Sequence, residues 1–576
     1  MKPFLKYFRD VNITLVVFFA MLAFFAAFFA LPILKTLQAA FIVDGHFTFK
    51  YVEDVIQDLS YAQGLWNSLL LATFSTLLAL AIALPLAVLS DRYEFPFKTL
   101  LTSLLLLPLV LPPFVGAIGV KQILGQSGAL NVFLSWFGMV NMDHPVDWLG
   151  KWRFGGMVVM TGLHLYPIVY LNVSAALANL DPSLEEAAEN LGCSPAKRFR
   201  LITLPMTLPG IFSGGTIAFI WGFTELGVPL VFDFTRITSV QIFDGIKDLG
   251  GSPYPYALVS VVLAITTILY LFSKSLMGNM DLSSSGRITL GRKTANLGGW
   301  RKWSAIGFFV LIIAFALVPH LGVITFSLSK DWYLSVFPES LTLSHYSEAM
   351  GHVLTLPSIA NSVQYAALAT ILNLALGVAI AFVVVRTKIP GRQILDVIAT
   401  LPLAVPGLVL AFGYLAMTRK GEMFRWIVDN PILQADNPLI LLVIAYAIRR
   451  LPFIVRSAVA GFQQTSRSLE EAALNLGAGP LTTLRRITVP LIAANLIAGA
   501  ILAFAFSMLE VSDSLILAQK EIYFPITAAI YTLYGSLGTG PFLAAALGVW
   551  AMMFLTVALI GTVYLLGQKI GSLFRV

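Results

Sequence analysis

Stretches of twenty or more mostly apolar residues recur from one end of this sequence to the other, and that recurrence limits what it can fold into. A helix rising about 1.5 Å per residue needs roughly 20 residues to cross a hydrocarbon layer ~30 Å thick. Twelve such stretches are read, centred in 11–34, 65–89, 97–120, 154–178, 210–232, 256–277, 305–327, 361–385, 395–417, 437–460, 491–517 and 542–567. Of the 576 residues 58% are hydrophobic and 12% charged, and the mean hydropathy is +0.84, a balance too apolar for a water-soluble chain of this length. Period-two alternation is absent, which argues against a membrane barrel. The expected fold class is an all-α polytopic membrane protein with about 12 spans. Lys2, Lys6 and Arg9 precede the first apolar run as they would in a secretory signal. That run, 11–34, is longer than the ~7–15 residues of a signal core, so it is read as a retained anchor.

Orientation follows from the basic residues. With the N-terminus placed inside and residues within spans counted with the nearer side, the cytoplasmic side holds 25 of the 37 Lys and Arg and the outer side 12. This excess, which includes Arg386, Lys388 and Arg392 between spans eight and nine, is the bias expected across a bacterial-type plasma (inner) membrane. Both termini are therefore expected in the cytoplasm. The pI of about 9.3 then reflects orientation, and no basic patch interleaved with aromatics argues for nucleic acid. The lone Cys193 excludes an intrachain disulfide and a Cys-rich metal site.

Internal repetition carries the reading further. Residues 183–205, SLEEAAENLGCSPAKRFRLITLP, align without gaps on 468–490, SLEEAALNLGAGPLTTLRRITVP, at an offset of 285. Pro167 and Pro452 keep that offset, as do Glu225 and Glu510, and Ala478 stands opposite Cys193. Asn67-Ser68 and Asn361-Ser362, Leu107-Pro108 and Leu401-Pro402, and Pro112 and Pro406 match at 294. Six spans per half is an even number, so both halves enter the membrane with the same polarity and both repeated loops face the cytoplasm. The expected division is a first transmembrane domain over 1–280, a linker over 281–300 rich in Gly, Ser and basic residues, and a second domain over 301–576. Ser183 followed by Glu186 has capping-box spacing, so a helix is expected to begin there. Ala187 and Ala188 favour helix and leave room for a partner's close approach, while Gly192 and Gly477 permit a sharp turn. An ordinary interfacial helix joining two spans is the plainer alternative for a single copy, and the duplication argues against it.

Glu-Glu-Ala-Ala followed by Leu-Gly, in a cytoplasmic loop between two spans, resembles the EAA loop of binding-protein-dependent ABC importer permeases. The resemblance covers essentially the whole chain as two like-oriented, six-helix type I importer domains, most similar to the fused permeases of the ferric-iron type. It implies that each loop forms a short coupling helix seated in a groove of an ATPase subunit. Glu185, Glu186, Ala187, Ala188 and Gly192 would serve in the first copy, and Glu470, Glu471, Ala472, Ala473 and Gly477 in the second. The implied partners are two copies of an ABC ATPase, which would carry ATP and Mg, and an extracytoplasmic solute-binding protein. No cofactor or metal is expected on this chain, and catalytic residues are not expected either. The nearest approach to a phosphate loop, Gly286 to Thr294, places its Lys one residue late and follows no strand. An ion-gradient-driven transporter is the competing class, since it too would show duplicated halves and intramembrane acids, and an intramembrane enzyme lacks a paired nucleophile and base. Ferric iron leads as cargo through the resemblance alone; thiamine, polyamines, phosphonates, sulfate-like oxyanions and sugars stay open.

Charges inside spans cost about 2.5–3.5 kcal/mol each by insertion scales, so each needs a reason. Glu225 and Glu510 occupy equivalent positions in spans five and eleven, and His164 and Arg449 occupy equivalent positions in spans four and ten, with Arg450 adjoining. Pairing of each basic group with the acid of the next span is expected. Two roles are open for the acids: lining the translocation pathway or its gate, and holding two helices together as an ion pair. Pro108, Pro112 and Pro113 in span three, and Pro402 and Pro406 in span nine, are expected to bend their helices beside a central pathway or as packing kinks.

Overall fold

In the computed structural model the described residues are 2–109, 112–248, 252–277, 295–430 and 435–566, so residues 281–294 of the expected linker lie outside them. Among the described residues, eight helices are long and apolar enough to cross a membrane, and eleven spans result if each of three bent helix pairs counts as one. The remaining expected stretch, 437–460, is the helix Leu439–Gln464. Its 26 residues are long enough, yet Arg449, Arg450 and Arg456 fall within every 18-residue length of it. The described residues are all-α apart from four two-stranded ladders, of which Ile42–Val43 with His46–Phe47 is an antiparallel example.

The long spans form where the sequence supplies uninterrupted apolar residues and a capping side chain. Span two, Leu59–Arg92, starts at Asp58, whose carboxylate accepts from the backbone of Ser60 at 2.8 Å and Tyr61 at 3.1 Å. Spans three and nine bend sharply at their prolines, as expected. Lys98–Leu109 and Pro113–Ser135 stand at 92°, and Arg392–Leu403 and Gly407–Met417 at 101°. Span five consists of Leu204–Phe223 followed by the short helix Gly227–Val231; span eleven repeats this as Ala493–Met508 and Ser512–Leu517.

Packing does not follow chain order. Span one, Thr14–Phe41, lies against span nine of the second half: Tyr414 donates to the Phe28 carbonyl at 2.7 Å, and Lys35 pairs with Glu422 at 2.7 Å. Span seven, Gly299–Leu328, lies against span three of the first half, and just ahead of that span Phe95 meets Phe309 at 5.4 Å between ring centres. The halves thus exchange their first spans. Both contacts rest on glycines that share the 294 offset. A Cβ on Gly119 would stand 2.2 Å from the Val323 nitrogen, and one on Gly413 2.2 Å from the Pro32 carbonyl oxygen.

Those two glycines give a direct test of the exchange. Gly119→Leu and Gly413→Leu are expected to cost about 1–3 kcal/mol each through overpacking, lowering the melting temperature of the purified protein in detergent. Gly307→Ala, where an added Cβ meets nothing within 4 Å, is expected to leave it unchanged. A Gly119→Leu protein that melts with the parent would mean that span seven is not seated there.

Candidate functional site: paired loops and an intramembrane charge cluster

The repeated loops adopt the same structure twice. Their helices are Pro182–Asn190 and Arg467–Asn475, capped by Asp181, which accepts from the Ser183 backbone at 2.9 Å, and by Ser466, which accepts from the Ser468 backbone at 3.3 Å. The helix therefore starts ahead of the capping box expected at Ser183, because Pro182 needs no hydrogen bond at the first helical position and Asp181 stands ready to cap it. Each helix ends on a left-handed glycine, Gly192 with φ 77° and Gly477 with φ 90°. The Cys193 backbone N–H reaches back to the Ala188 carbonyl at 2.9 Å, and that of Ala478 to Ala473 at 3.0 Å, closing a Schellman turn in each.

Two faces result. Glu186, Ala187, Glu471 and Ala472 are exposed, together with Leu191 at 87% and Leu476 at 90% exposure. Glu185 and Glu470 turn inward. Arg92, the last residue of span two, contacts Glu185 at 2.5 Å and also donates to the Thr203 hydroxyl. Arg386, the last residue of span eight, contacts Glu470 at 3.0 Å, and Thr488 donates to the same carboxylate at 3.2 Å. Ala188 and Ala473 also turn inward, packed on their own chain, so close approach by a partner is left to Ala187 and Ala472. The sequence assigned no contact at the loops to Arg92, Arg386, Thr203, Thr488, Leu191 or Leu476, although Arg386 counted toward orientation and the two leucines stand in the repeated motif. Their signal was available, since Arg92 and Arg386 keep the 294 offset and the other two pairs keep 285.

Within the membrane the halves diverge. In the second half Arg449 contacts Glu510 at 2.6 Å and Asp513 at 3.2 Å, and Arg450 contacts the other oxygen of Glu510. Two cations and two anions neutralise one another in a dry setting where an isolated charge would be costly. Gly407 makes room, since a Cβ there would stand 2.3 Å from Arg449. Asp513 gave no signal in the repeat because its counterpart is Val228.

In the first half the expected pairing of His164 with Glu225 does not form. His164 donates from Nδ1 to the Pro108 carbonyl at 3.0 Å. That carbonyl would ordinarily accept from residue 112, and Pro112 has no N–H to give. Glu225 sits in the break of span five, where its Oε1 accepts from the backbones of Gly227 at 3.1 Å and Val228 at 3.2 Å. Among the described residues it makes no ion pair. Two small cavities flank this region between the halves. One is lined by Trp221, Thr224, Pro402, Pro406 and Arg449, and the other by Pro108, Pro112, His164, Pro319 and His320. The prolines at the bends therefore border both.

Two stretches, 79–283 and 373–564, match the family model described as binding-protein-dependent transport system inner membrane component. The chain belongs to that family. The exchanged spans one and seven lie outside both matched stretches. A ferric transport system permease protein of Actinobacillus pleuropneumoniae is 29% identical over 79% of this chain, and the chain spans only 64% of that relative's length. A Haemophilus influenzae protein named for ferric transport is 28% identical, with 86% of this chain and 76% of the relative covered. A molybdenum transport system permease protein of Escherichia coli is 32% identical over 36% of this chain and 92% of its own length, the extent of a single half.

The two intramembrane acids of this permease-family chain should respond differently to neutralisation. Glu510→Gln leaves two buried arginines short of an anion and is expected to cost about 3–5 kcal/mol. Glu225→Gln keeps the oxygen that accepts from Gly227 and Val228, and is expected to cost under ~1 kcal/mol. Thermal unfolding in detergent separates the two, and equal losses would contradict the placement of either acid.

Proposed function

We propose that this chain is the membrane permease of an ATP-driven importer, with two copies of one ATPase docked on its repeated loops. The observation that carries the reading is the sameness of the outward faces. Leu184, Glu186, Ala187 and Leu191 recur as Leu469, Glu471, Ala472 and Leu476, all exposed, on helices held by the same Arg, Glu and Thr. Exposed leucines at a turn that carries no lipid-spanning segment suit a protein partner, and one groove shape fits both copies. A solute-binding protein delivers cargo on the opposite side, and both termini lie with the loops in the cytoplasm.

Ferric iron is the proposed cargo. Its support is that the Actinobacillus pleuropneumoniae and Haemophilus influenzae relatives, which match 79% and 86% of this chain, are named for ferric transport, while the match to the molybdenum relative covers 36%. Glu225, an acid without an ion-pair partner among the described residues and next to the central cavities, is the proposed pathway residue that meets the cation. Glu510 has its charge spent on Arg449 and Arg450 and is assigned to holding helices together.

Leu191→Asp with Leu476→Asp tests the docking. Both positions are almost fully exposed, so the permease should fold and insert normally. Each substitution should weaken ATPase binding by about 2 kcal/mol, roughly thirtyfold, by placing a charge in a contact that excludes water. Co-purification of the ATPase and uptake of radioactive ferric iron with the binding protein present are the measurements. A well-expressed double variant with normal assembly and uptake would leave the ion-gradient transporter as the better reading. Orientation has its own check: Ala196→Cys and Leu481→Cys, exposed equivalent positions outside that face, each in a Cys193→Ser background, should react with an impermeant thiol reagent only after cells are permeabilised. Labelling of either from outside would break the like-oriented arrangement.

A further inference from the structure

The contacts behind the loops join each coupling helix to the spans on either side of it. Arg92 ends span two, Glu185 lies in the first turn of the coupling helix, and Thr203 closes the wide helical turn Phe199–Thr203 that leads into span five. One nitrogen of Arg92 donates to Glu185 Oε1 and to Thr203 Oγ1, both at 2.5 Å, and the Thr203 hydroxyl donates in turn to the same carboxylate. In the second half Arg386 Nε meets both oxygens of Glu470 at 3.0 Å, and Arg386 Nη2 donates to the Thr465 carbonyl at the end of span ten. Thr488, which closes the turn Leu484–Thr488 before span eleven, completes the set. The charged side chains are between 7% and 13% exposed, so water does little to loosen these bonds.

A short helix tied to its neighbours only through the chain can rock about its ends. One tied through a buried side chain at its inner face to two different spans cannot tilt without moving them. Arginine suits this task because its planar fork holds several acceptors in fixed directions, which a lysine does not. The clamp recurs in both halves although other loop contacts do not. The ion pair of Arg198 with Glu189, for example, has Thr483 and Leu474 at the equivalent positions.

We propose that Arg92 and Arg386 are positioning residues that carry movement of each coupling helix into spans two and five and spans eight and eleven. Without them ATP is still bound and hydrolysed by the docked partner, and the pathway no longer responds. The proposal rests on ATPase docking at the exposed loop faces, which lie on the opposite side of each helix from the clamp.

The test uses the complex of the full chain with its ATPase in lipid vesicles. The chain carries Cys193→Ser and Thr224→Cys, the latter lining a central cavity. Three properties are read: ATPase retained on the permease, ATP hydrolysis, and the change in thiol labelling at position 224 on adding MgATP. Arg92→Gln with Arg386→Gln should keep association and hydrolysis within about twofold of the parent and reduce the labelling change about fivefold or more, the lower end of typical coupling between sites. Thr203→Val with Thr488→Val leaves both ion pairs in place and cuts only the tie to spans five and eleven. It should show the same pattern to a lesser degree, and it answers the question should the arginine variants misfold. A full labelling response in folded variants overturns the proposal. So does release of the ATPase from them, which would place the clamp in the docking surface. A parent chain that fails to hold the ATPase overturns the docking reading itself, and is told apart by failing before any substitution is made.

Discussion

In hydrocarbon no water is present to take up a backbone group that a helix leaves free, and the irregular parts of this protein are arranged around that constraint. Pro112 cannot donate to the Pro108 carbonyl, and His164 from span four does so instead. Tyr166, two residues on and fully buried, donates to the Leu105 carbonyl at 2.9 Å just ahead of the same break. In span five the interruption at Thr224–Leu226 frees N–H groups, and the Glu225 carboxylate accepts two of them. A polar side chain in these spans is thus explained first by the backbone beside it. Breaks are affordable only where such a neighbour exists, and the neighbours are found between the halves, where the two cavities also lie.

The duplicated architecture carries unequal electrostatics. At the positions of Arg449, Arg450, Glu510 and Asp513 the first half has His164, Leu165, Glu225 and Val228. The second half adds two cations and one anion, and its four charges cancel, whereas the first half keeps one acid held by backbone N–H groups alone. Each solution is self-consistent, because the arginines would be intolerable without both acids and Glu225 would be poorly placed beside an extra carboxylate. The interface between the halves thus has one side locked by ion pairs and one side whose acid is held by backbone N–H groups alone.

Much of this was legible in the sequence. Apolar length marked twelve stretches, eleven of which are spans by length and composition, and the twelfth, 437–460, is the helix Leu439–Gln464, whose arginines disguise it. The proline bends and the loop glycines followed from backbone chemistry that needs no tertiary information. Pairing across the repeat was legible for Arg449 with Glu510 and misleading for His164 with Glu225, since equivalent positions share a place in the fold and need not share a partner. The exchange of first spans was not legible, because it depends on which surface of span three or nine is smooth enough to receive a helix. Gly119 and Gly413 look like any other glycines of an apolar run until the facing backbone is known.

That exchange restricts how the molecule can move. Span seven meets Gly119 and span one meets Gly413 so closely that no side chain fits between them, and interlocked packing of this kind resists sliding. The halves therefore cannot simply part along their interface, because each holds a helix of the other. Rearrangement is easiest where the backbone is already interrupted and cavities relieve the packing: the bends of spans three and nine, and the breaks of spans five and eleven. Spans five and eleven are the ones that the repeated loops enter directly, through Phe199–Thr203 and Leu484–Thr488. On the docking proposed above, a push delivered at the loops would arrive first at helices whose far ends carry Glu225 and Glu510, with the interlocked outer helices as the frame around them.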